Sequence, residues 1–240
     1  MRRRTEAPPA SFVNGGLVSV VMAAFDEEGF IDEALRSVSE QTYRPVEMIV
    51  VDDGSSDCTA ETAANHDVRL LRLPHRGPSA ARNAGLAVAR GEYWTIFDAD
   101  DVMPPERLSR QVAYLEEHPQ VGMVLGLTEA FVTPGEPRPP HWNPIWDEGP
   151  FPACAGTMLA RRSVLDVVGP YDETLSLAYD VEWLARAKDA GVGAGQVDHV
   201  SLHYRIHPGN TSADRPAVHE AMFGLLRASL NRTRARAGDG

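Results

Sequence analysis

Short apolar runs alternate with amphipathic segments through the first half of the chain, and this alternation constrains the fold more than any other feature. Mostly apolar runs, typical of buried strands, lie at 17–24, 46–51, 68–73, 93–97 and 121–127. Helical spacing, capping residues or a proline in the first turn predict helices at 28–41, 57–65, 78–89 and 104–118. This order predicts an α/β protein with a mainly parallel central sheet flanked by helices.

A proline-rich segment interrupts the alternation. Residues 134–152 contain seven prolines together with Trp142 and Trp146, a composition that predicts a functional loop or a linker. We expect this loop to be mobile without ligands, with its tryptophans either stacking on a ligand or pinning the loop to the core. Beyond it, the pattern predicts helices at 162–168 and 180–190, a strand at 199–206 and a C-terminal helix at 216–234.

The net charge of −11 argues against a nucleic-acid partner, which requires a basic face. No apolar run reaches the roughly 18 residues that span a bilayer, so we expect no transmembrane segment. The first residues are Arg-rich without a following apolar stretch, so they do not predict a secretory signal. Together with two cysteines in dissimilar settings, these features predict a cytoplasmic protein, with a peripheral position at a membrane as the alternative.

Acidic clusters follow three of the predicted strands. They read FDEE at 25–28, DDGSSD at 52–57 and DADD at 98–101. The carboxyl ends of parallel strands meet at one edge of the sheet, where ligands bind in open α/β folds. Taken singly, each cluster is equally well explained as a turn or a solvated loop. Gathered at one edge, the carboxylates would repel each other unless a cation joined them, and oxygen ligands suit Mg²⁺ or Mn²⁺. We therefore expect a metal–diphosphate site.

Two segments carry a resemblance to a known family. VSVVMAAFDEEGFIDEALRSVSEQTYRPVEMIVVDDGSSDCT at 18–59 and SAARNAGLAVARGEYWTIFDADD at 79–101 resemble the nucleotide-binding half of family 2 glycosyltransferases. The resemblance implies a GT-A fold and a nucleoside-diphosphate-sugar donor, most often a UDP-sugar. It implies one continuous domain, with a nucleotide-sugar-binding part at 17–127 and an acceptor-binding and catalytic part with a terminal helix at 128–240. Residues 1–16 are polar and contain proline and glycine, which predicts a disordered lead-in.

The resemblance also implies roles for individual residues. Phe25 matches an aromatic that packs on uracil, and Asp53 matches an acid that accepts a hydrogen bond from the uracil ring. Asp100 matches a direct metal ligand, whereas Asp98 faces the ribose or the metal's waters. Arg82 pairs either with the donor or with an acid such as Asp53. The implied nucleotide-sugar-binding residues are Ala23, Ala24, Phe25, Glu27, Asp53, Arg82, Asp98, Ala99 and Asp100.

The second half of the chain resembles the catalytic half of the same family. In GPYDETLSLAYDVEWLARAKDAG at 169–191, Asp180 aligns with the general base, which takes the acceptor's proton in an inverting transfer. An N-cap is its alternative role, and Glu182 is the alternative base. Tyr179 departs from the family pattern, which usually has Glu there. In HYRIHPGNTS at 203–212, His207 is the implied second metal ligand, and Arg205 is a weaker candidate for the diphosphate.

Other functions fit the sequence less well. A nucleotidyltransferase should carry a glycine-rich basic loop after the first strand, but here that loop is the acidic 25–28. A non-catalytic sugar-nucleotide-binding module is favoured only by Tyr179. A phosphatase with an Asp-x-Asp nucleophile normally carries that motif after the first strand. The acceptor is unidentified, and a glycan, lipid, peptide or small molecule remains open.

Overall fold

The computed structural model describes residues 13–152 and 155–213, together with positions 220 and 224. Apart from positions 220 and 224, the predicted C-terminal helix lies outside these described residues, as do the first twelve residues of the predicted lead-in. Within the described part, no helix is both long enough and apolar enough to cross a bilayer.

Eight strands form a single sheet. They are β1 Val13–Ala24, β2 Tyr43–Asp52, β3 Arg69–Arg72, β4 Tyr93–Ile96, β5 Met123–Phe131, β6 Phe151–Pro152, β7 Leu159–Arg161 and β8 Ala194–Arg205. The order across the sheet is β3-β2-β1-β4-β7-β5-β6, with β8 paired to β5. The strands β1 to β5 and β8 share one direction, while the short β6 and β7 run antiparallel to their neighbours. The predicted α/β class with a mainly parallel sheet is confirmed.

Between residues 13 and 213, the structure describes six α-helices that flank the sheet. They are α1 Ile31–Ser39, α2 Thr59–Ala63, α3 Pro78–Val88, α4 Arg107–Glu117, α5 Arg162–Val168 and α6 Tyr179–Asp189. The apolar residues of α1 recur at helical spacing and therefore form one face of the helix. This predicted face, with Ile31, Ala34, Leu35 and Val38, is buried. In α3, a Cβ on Gly85 would lie only 2.3 Å from Val21 Cγ1. This close approach lays α3 directly on β1 and places the start of α3 at the carboxyl edge of the sheet.

The ends of several elements differ from prediction. The strand β1 begins at Val13, so the last four residues of the predicted lead-in belong to a strand. The strand β8 begins at Ala194, five residues before its predicted start, because its first part alternates exposed and half-buried positions and lacks an apolar run. The strands β6 and β7 were not predicted, since two or three residues show no periodicity.

A pair of tryptophans joins the helix α6 to the middle of the sheet. The rings of Trp94 on β4 and Trp183 on α6 meet edge to face, with 5.3 Å between their centroids. Both side chains are buried, and Trp183 Nε1 donates to the Gly169 carbonyl at 2.8 Å. This packing fixes the start of α6, including Asp180, near the carboxyl edge of the sheet.

Candidate active site

A cleft of about 620 Å³ opens at the carboxyl edge of the sheet. It lies where the acidic clusters after β1, β2 and β4 come together, as their positions after parallel strands predict. The sequence implied nine nucleotide-sugar-binding residues, Asp180 as the base and His207 as a further metal ligand. Ten of these eleven line the cleft: Ala23, Ala24, Phe25, Glu27, Asp53, Arg82, Asp98, Ala99, Asp100 and Asp180. The eleventh, His207, lies beside the cleft and contacts Asp100.

An aromatic corner closes one end of the cleft. Phe25 is 44% exposed, and its ring centroid lies 4.3 Å from that of His75. Asp53 is buried beside this corner and accepts hydrogen bonds from the backbone N–H groups of Arg76 and Gly77 at 2.9 and 2.8 Å. The Asp53 carboxylate therefore holds the turn that leads into α3 and also faces the cleft. His75 was not predicted as a site residue, because only the fold of the turn before α3 brings its ring against Phe25.

Arg82, near the start of α3, is buried between an acid and an aromatic ring. Its Nη2 donates to Asp98 Oδ1 at 2.6 Å, and its Cζ lies 4.4 Å from the centre of the Tyr179 ring. Arg82 therefore pairs with an acid, as one of the two alternatives predicted, but the acid is Asp98 and not Asp53. Tyr179, which stands where the family usually has an acid, contributes an uncharged ring face to the guanidinium.

The loop after β4 brings Asp100 against the segment that follows β8. His207 Nε2 lies 3.1 Å from Asp100 Oδ2, and Asn210 Nδ2 donates to the same oxygen at 3.2 Å. The two proposed metal ligands are therefore adjacent, although 107 positions separate them in the sequence. Asn210 also fixes His207 by accepting its backbone N–H at 2.6 Å.

The negative charge of the cleft perturbs a neighbouring acid. Burial, together with the nearby Asp100, Asp98 and Asp57 carboxylates, raises the pKa of Glu27 to about 7, against the opposing influence of His207. In the described part of the chain, no three His, Cys, Asp or Glu residues are arranged as a complete metal site. Asp100 and His207 fit a divalent cation that takes its other ligands from a substrate diphosphate and water.

Arg205 stabilises the loop after β4 and does not line the cleft. Its guanidinium is buried between the rings of Phe30 and Phe131, at 5.2 and 4.6 Å from their centroids. It donates to the Asp100 carbonyl at 2.7 Å and to Glu33 Oε2 at 2.6 Å. With only 1% of the residue exposed, Arg205 does not reach the cleft, so its suggested contact with a diphosphate is wrong.

Asp180 is the second residue of α6 and lines the cleft. The N-cap position is occupied by Ala178, so the alternative role of Asp180 as the N-cap is wrong. Its Oδ1 instead accepts the N–H of Val181 at 2.8 Å, and burial raises the pKa of its carboxyl. The alternative base, Glu182, is held by Arg186 Nε, which lies 2.9 and 2.8 Å from its two oxygens.

The proline-rich segment contributes an aromatic side chain to the cleft. Trp146 lines the same cleft as Asp100, whereas Trp142 packs behind Trp146 with 5.4 Å between the ring centroids. Arg138 lies over the Trp142 ring at 4.4 Å and pairs with Asp147, so the segment is held by its own side chains. Of the two tryptophans, only Trp146 is placed to contact a ligand in the cleft.

The chain belongs to glycosyl transferase family 2, whose family model matches residues 19–166. One relative is the Escherichia coli UDP-Glc:alpha-D-GlcNAc-diphosphoundecaprenol beta-1,3-glucosyltransferase WfaP, 28% identical over 211 residues that cover 83% of this chain and 81% of that protein. Another is an uncharacterized glycosyltransferase of Haemophilus influenzae, 34% identical over 109 residues. That match covers 43% of this chain and less than half of the relative, 44%.

Solved structures share the fold. The S. aureus TarS fragment 1–349 in complex with UDP has a TM-score of 0.63 at 22% identity, with 80% of this chain and 61% of that chain covered. Glucosyl-3-phosphoglycerate synthase from Mycobacterium tuberculosis, in complex with Mn²⁺, UDP and phosphoglyceric acid, has a TM-score of 0.62 at 20% identity, with 90% and 78% covered. At these identities the likeness concerns the fold alone, and it confirms the expected GT-A architecture.

Proposed function

We propose that this protein is a metal-dependent, inverting glycosyltransferase that moves a sugar from a UDP-sugar to an acceptor hydroxyl. The observation that carries the proposal is the single cleft in which Asp53, Asp98, Asp100 and Asp180 converge on a chain of this family. The names of WfaP and of the two solved structures mention UDP or a UDP-sugar, which supports uridine as the base.

In the proposed donor complex, the base packs on Phe25 with its ring N–H directed at the Asp53 carboxylate. A divalent cation at Asp100 and His207 would stabilise the charge that develops on the diphosphate. A cation at this position would also offset the repulsion that the Asp100 and Asp98 carboxylates exert on Glu27, which supports this placement. Mn²⁺ or Mg²⁺ suits the oxygen-rich ligands, and Mn²⁺ is present in the complex of the M. tuberculosis synthase.

In the proposed reaction, Asp180 takes the proton of the acceptor hydroxyl as the acceptor oxygen attacks the anomeric carbon. A bond forms between that carbon and the acceptor oxygen, while the bond to the diphosphate oxygen breaks and the nucleoside diphosphate leaves with its electron pair. Burial of Asp180 favours this role, because a raised pKa makes its carboxylate a stronger proton acceptor than an ordinary Asp.

The proposal can be tested first by thermal melting. A nucleotide that binds only the folded protein raises its melting temperature, so UDP with Mn²⁺ should raise it more than ADP or GDP with Mn²⁺ or UDP alone. Incubation with UDP-sugars should also release UDP. A protein with neither response would not be a UDP-sugar transferase.

Asp100→Ala should remove the part of UDP binding that depends on Mn²⁺, since it deletes the proposed carboxylate ligand. Titration calorimetry with and without Mn²⁺ measures this directly. Asp166→Ala is a matched control, because Asp166 is an exposed acid on α5 that does not line the cleft. An Asp100→Ala protein whose UDP affinity still responded to Mn²⁺ would contradict the assignment.

Asp53→Ala should weaken UDP binding by about 1.5–3 kcal/mol, the usual range for a hydrogen bond to a charged group. Because Asp53 also holds the turn before α3, the matched control is pyrophosphate with Mn²⁺, which has the phosphates without the base. Its affinity should be the same in both proteins. Equal losses for UDP and pyrophosphate would mean that Asp53 acts only as a turn former.

A further inference from the structure

The cleft has a second wall, built entirely from residues after position 127. Three neighbouring strands place Phe151 on β6 opposite Thr128 on β5, and Thr128 opposite Leu202 on β8. Tyr204 lies two residues further along β8, on the same face of the strand. All four residues line the cleft. Because they stand on paired strands, this wall is rigid and is formed before any ligand arrives.

Trp146 extends this wall outward from the sheet. Its ring centroid lies 6.4 Å from that of Phe151 and 6.3 Å from that of Tyr204, with the first pair nearly parallel and the second edge to face. All three aromatic side chains are half-buried, so each keeps part of its ring accessible. We call these three residues and Thr128 and Leu202 the aromatic wall.

The aromatic wall and the nucleotide side of the cleft differ in charge. None of the five wall residues is charged, whereas the nucleotide side carries Asp53, Asp98, Asp100 and Asp101. Arg82, the arginine among the cleft-lining residues, is already paired with Asp98. An anionic group placed against the wall would therefore meet repulsion from these carboxylates, and the cation proposed at Asp100 and His207 would already be engaged by the donor diphosphate.

We propose that the aromatic wall binds the acceptor through an uncharged pyranose ring, which packs its C–H face on Trp146. This proposal rests on the proposed function, because the bound ring must present a hydroxyl to Asp180 in the same cleft. A pyranose combines an apolar face with a rim of hydroxyls. The wall presents the aromatic faces of Trp146 and Phe151 to the apolar side of such a ring, and the half-buried Tyr204 lies beside them. A lipid chain would require a purely apolar groove.

The test is saturation-transfer NMR on the full chain with Mg²⁺, using three probes. Methyl β-D-glucopyranoside is the neutral sugar, methyl β-D-glucuronide is its charged match, and geranyl phosphate represents a lipid acceptor. The glucoside should receive saturation, and the glucuronide and geranyl phosphate should receive at least about threefold less. Trp146→Ala should abolish the glucoside signal, while UDP, measured in the same samples, keeps its own.

Ile145→Ala is the matched control, because Ile145 is the neighbouring residue, is 52% exposed and does not line the cleft. It should retain the glucoside signal. Trp146→Phe keeps an aromatic face and should reduce the signal without abolishing it, which preserves the test if the alanine variant does not fold. A wild-type protein that binds UDP but not the glucoside, or that prefers geranyl phosphate, would overturn the acceptor proposal alone. A missing UDP signal would instead overturn the proposed donor.

Discussion

Replacing Asp180 with asparagine is expected to lower turnover by about 10²–10⁴-fold, the usual effect of losing a general base. Asparagine keeps the shape of the side chain and an oxygen that can accept the Val181 N–H, but it cannot take a proton. Donor affinity should stay close to wild type, so the loss should appear in kcat and not in UDP binding. Single-turnover transfer and UDP calorimetry on the same preparation measure both quantities.

The pH dependence of kcat provides a second measurement of Asp180. Because burial raises the pKa of its carboxyl, the active carboxylate is lost at a higher pH than for an ordinary aspartate. Activity should therefore fall as the pH drops through that raised pKa, and the acidic limb should disappear in Asp180→Asn. Glu182→Gln is the control, since Arg186 already holds Glu182. A larger fall in turnover for Glu182→Gln would move the base two residues along α6.

Arg205→Met is expected to lower the free energy of unfolding by about 3–5 kcal/mol, because a hydrogen bond from a charged group contributes about 1.5–3 kcal/mol and the buried Arg205 donates several. The substitution removes the hydrogen bonds to the Asp100 carbonyl, Thr133 Oγ1 and Glu33. In a chain of this size, the melting temperature should fall by roughly 6–20 °C. Urea and thermal unfolding followed by circular dichroism measure the change.

Arg110→Met is the matched control for Arg205→Met. Arg110 forms an i,i+4 ion pair with Glu106 in which both side chains are more than half exposed, and such pairs contribute about 0.3–0.5 kcal/mol. Its removal should change stability little. If Arg205→Met lost no more stability than Arg110→Met, Arg205 would not brace the loop after β4.

The main strands of the sheet could be predicted from the sequence because buried parallel strands produce short, mostly apolar runs, as at 46–51 and 93–97. The element ends were harder to predict. The first part of β8 alternates exposed and half-buried positions, and β7 consists of three residues that insert antiparallel between β4 and β5. Long-range pairing creates such strands, and no local pattern marks them.

The residues lining the cleft could be predicted for a related reason: the acids follow strands that end at the same edge. Their partners could not be predicted. Nothing in the sequence distinguishes Asp98 from Asp53 as the partner of Arg82, because both acids follow strands that end at the same edge of the sheet. Only the three-dimensional structure shows that Asp98 is the partner. Of the aromatic wall, only Trp146 was singled out in the sequence. Phe151, Thr128 and Leu202 become neighbours only when three strands pair, so no local pattern marks them.

The loop after β4 is completed by chain that is synthesised much later. Val102 exchanges two backbone hydrogen bonds with His203, at 3.1 and 3.0 Å, and the Asp101 carboxylate accepts the N–H of Arg205, 104 positions away. The acids of this loop therefore emerge from the ribosome long before the strand that orders them. A protein cut between α4 and β8 would keep Asp98, Asp100 and the whole nucleotide side. It would nevertheless lack His207 and the contacts that hold Asp100 in place.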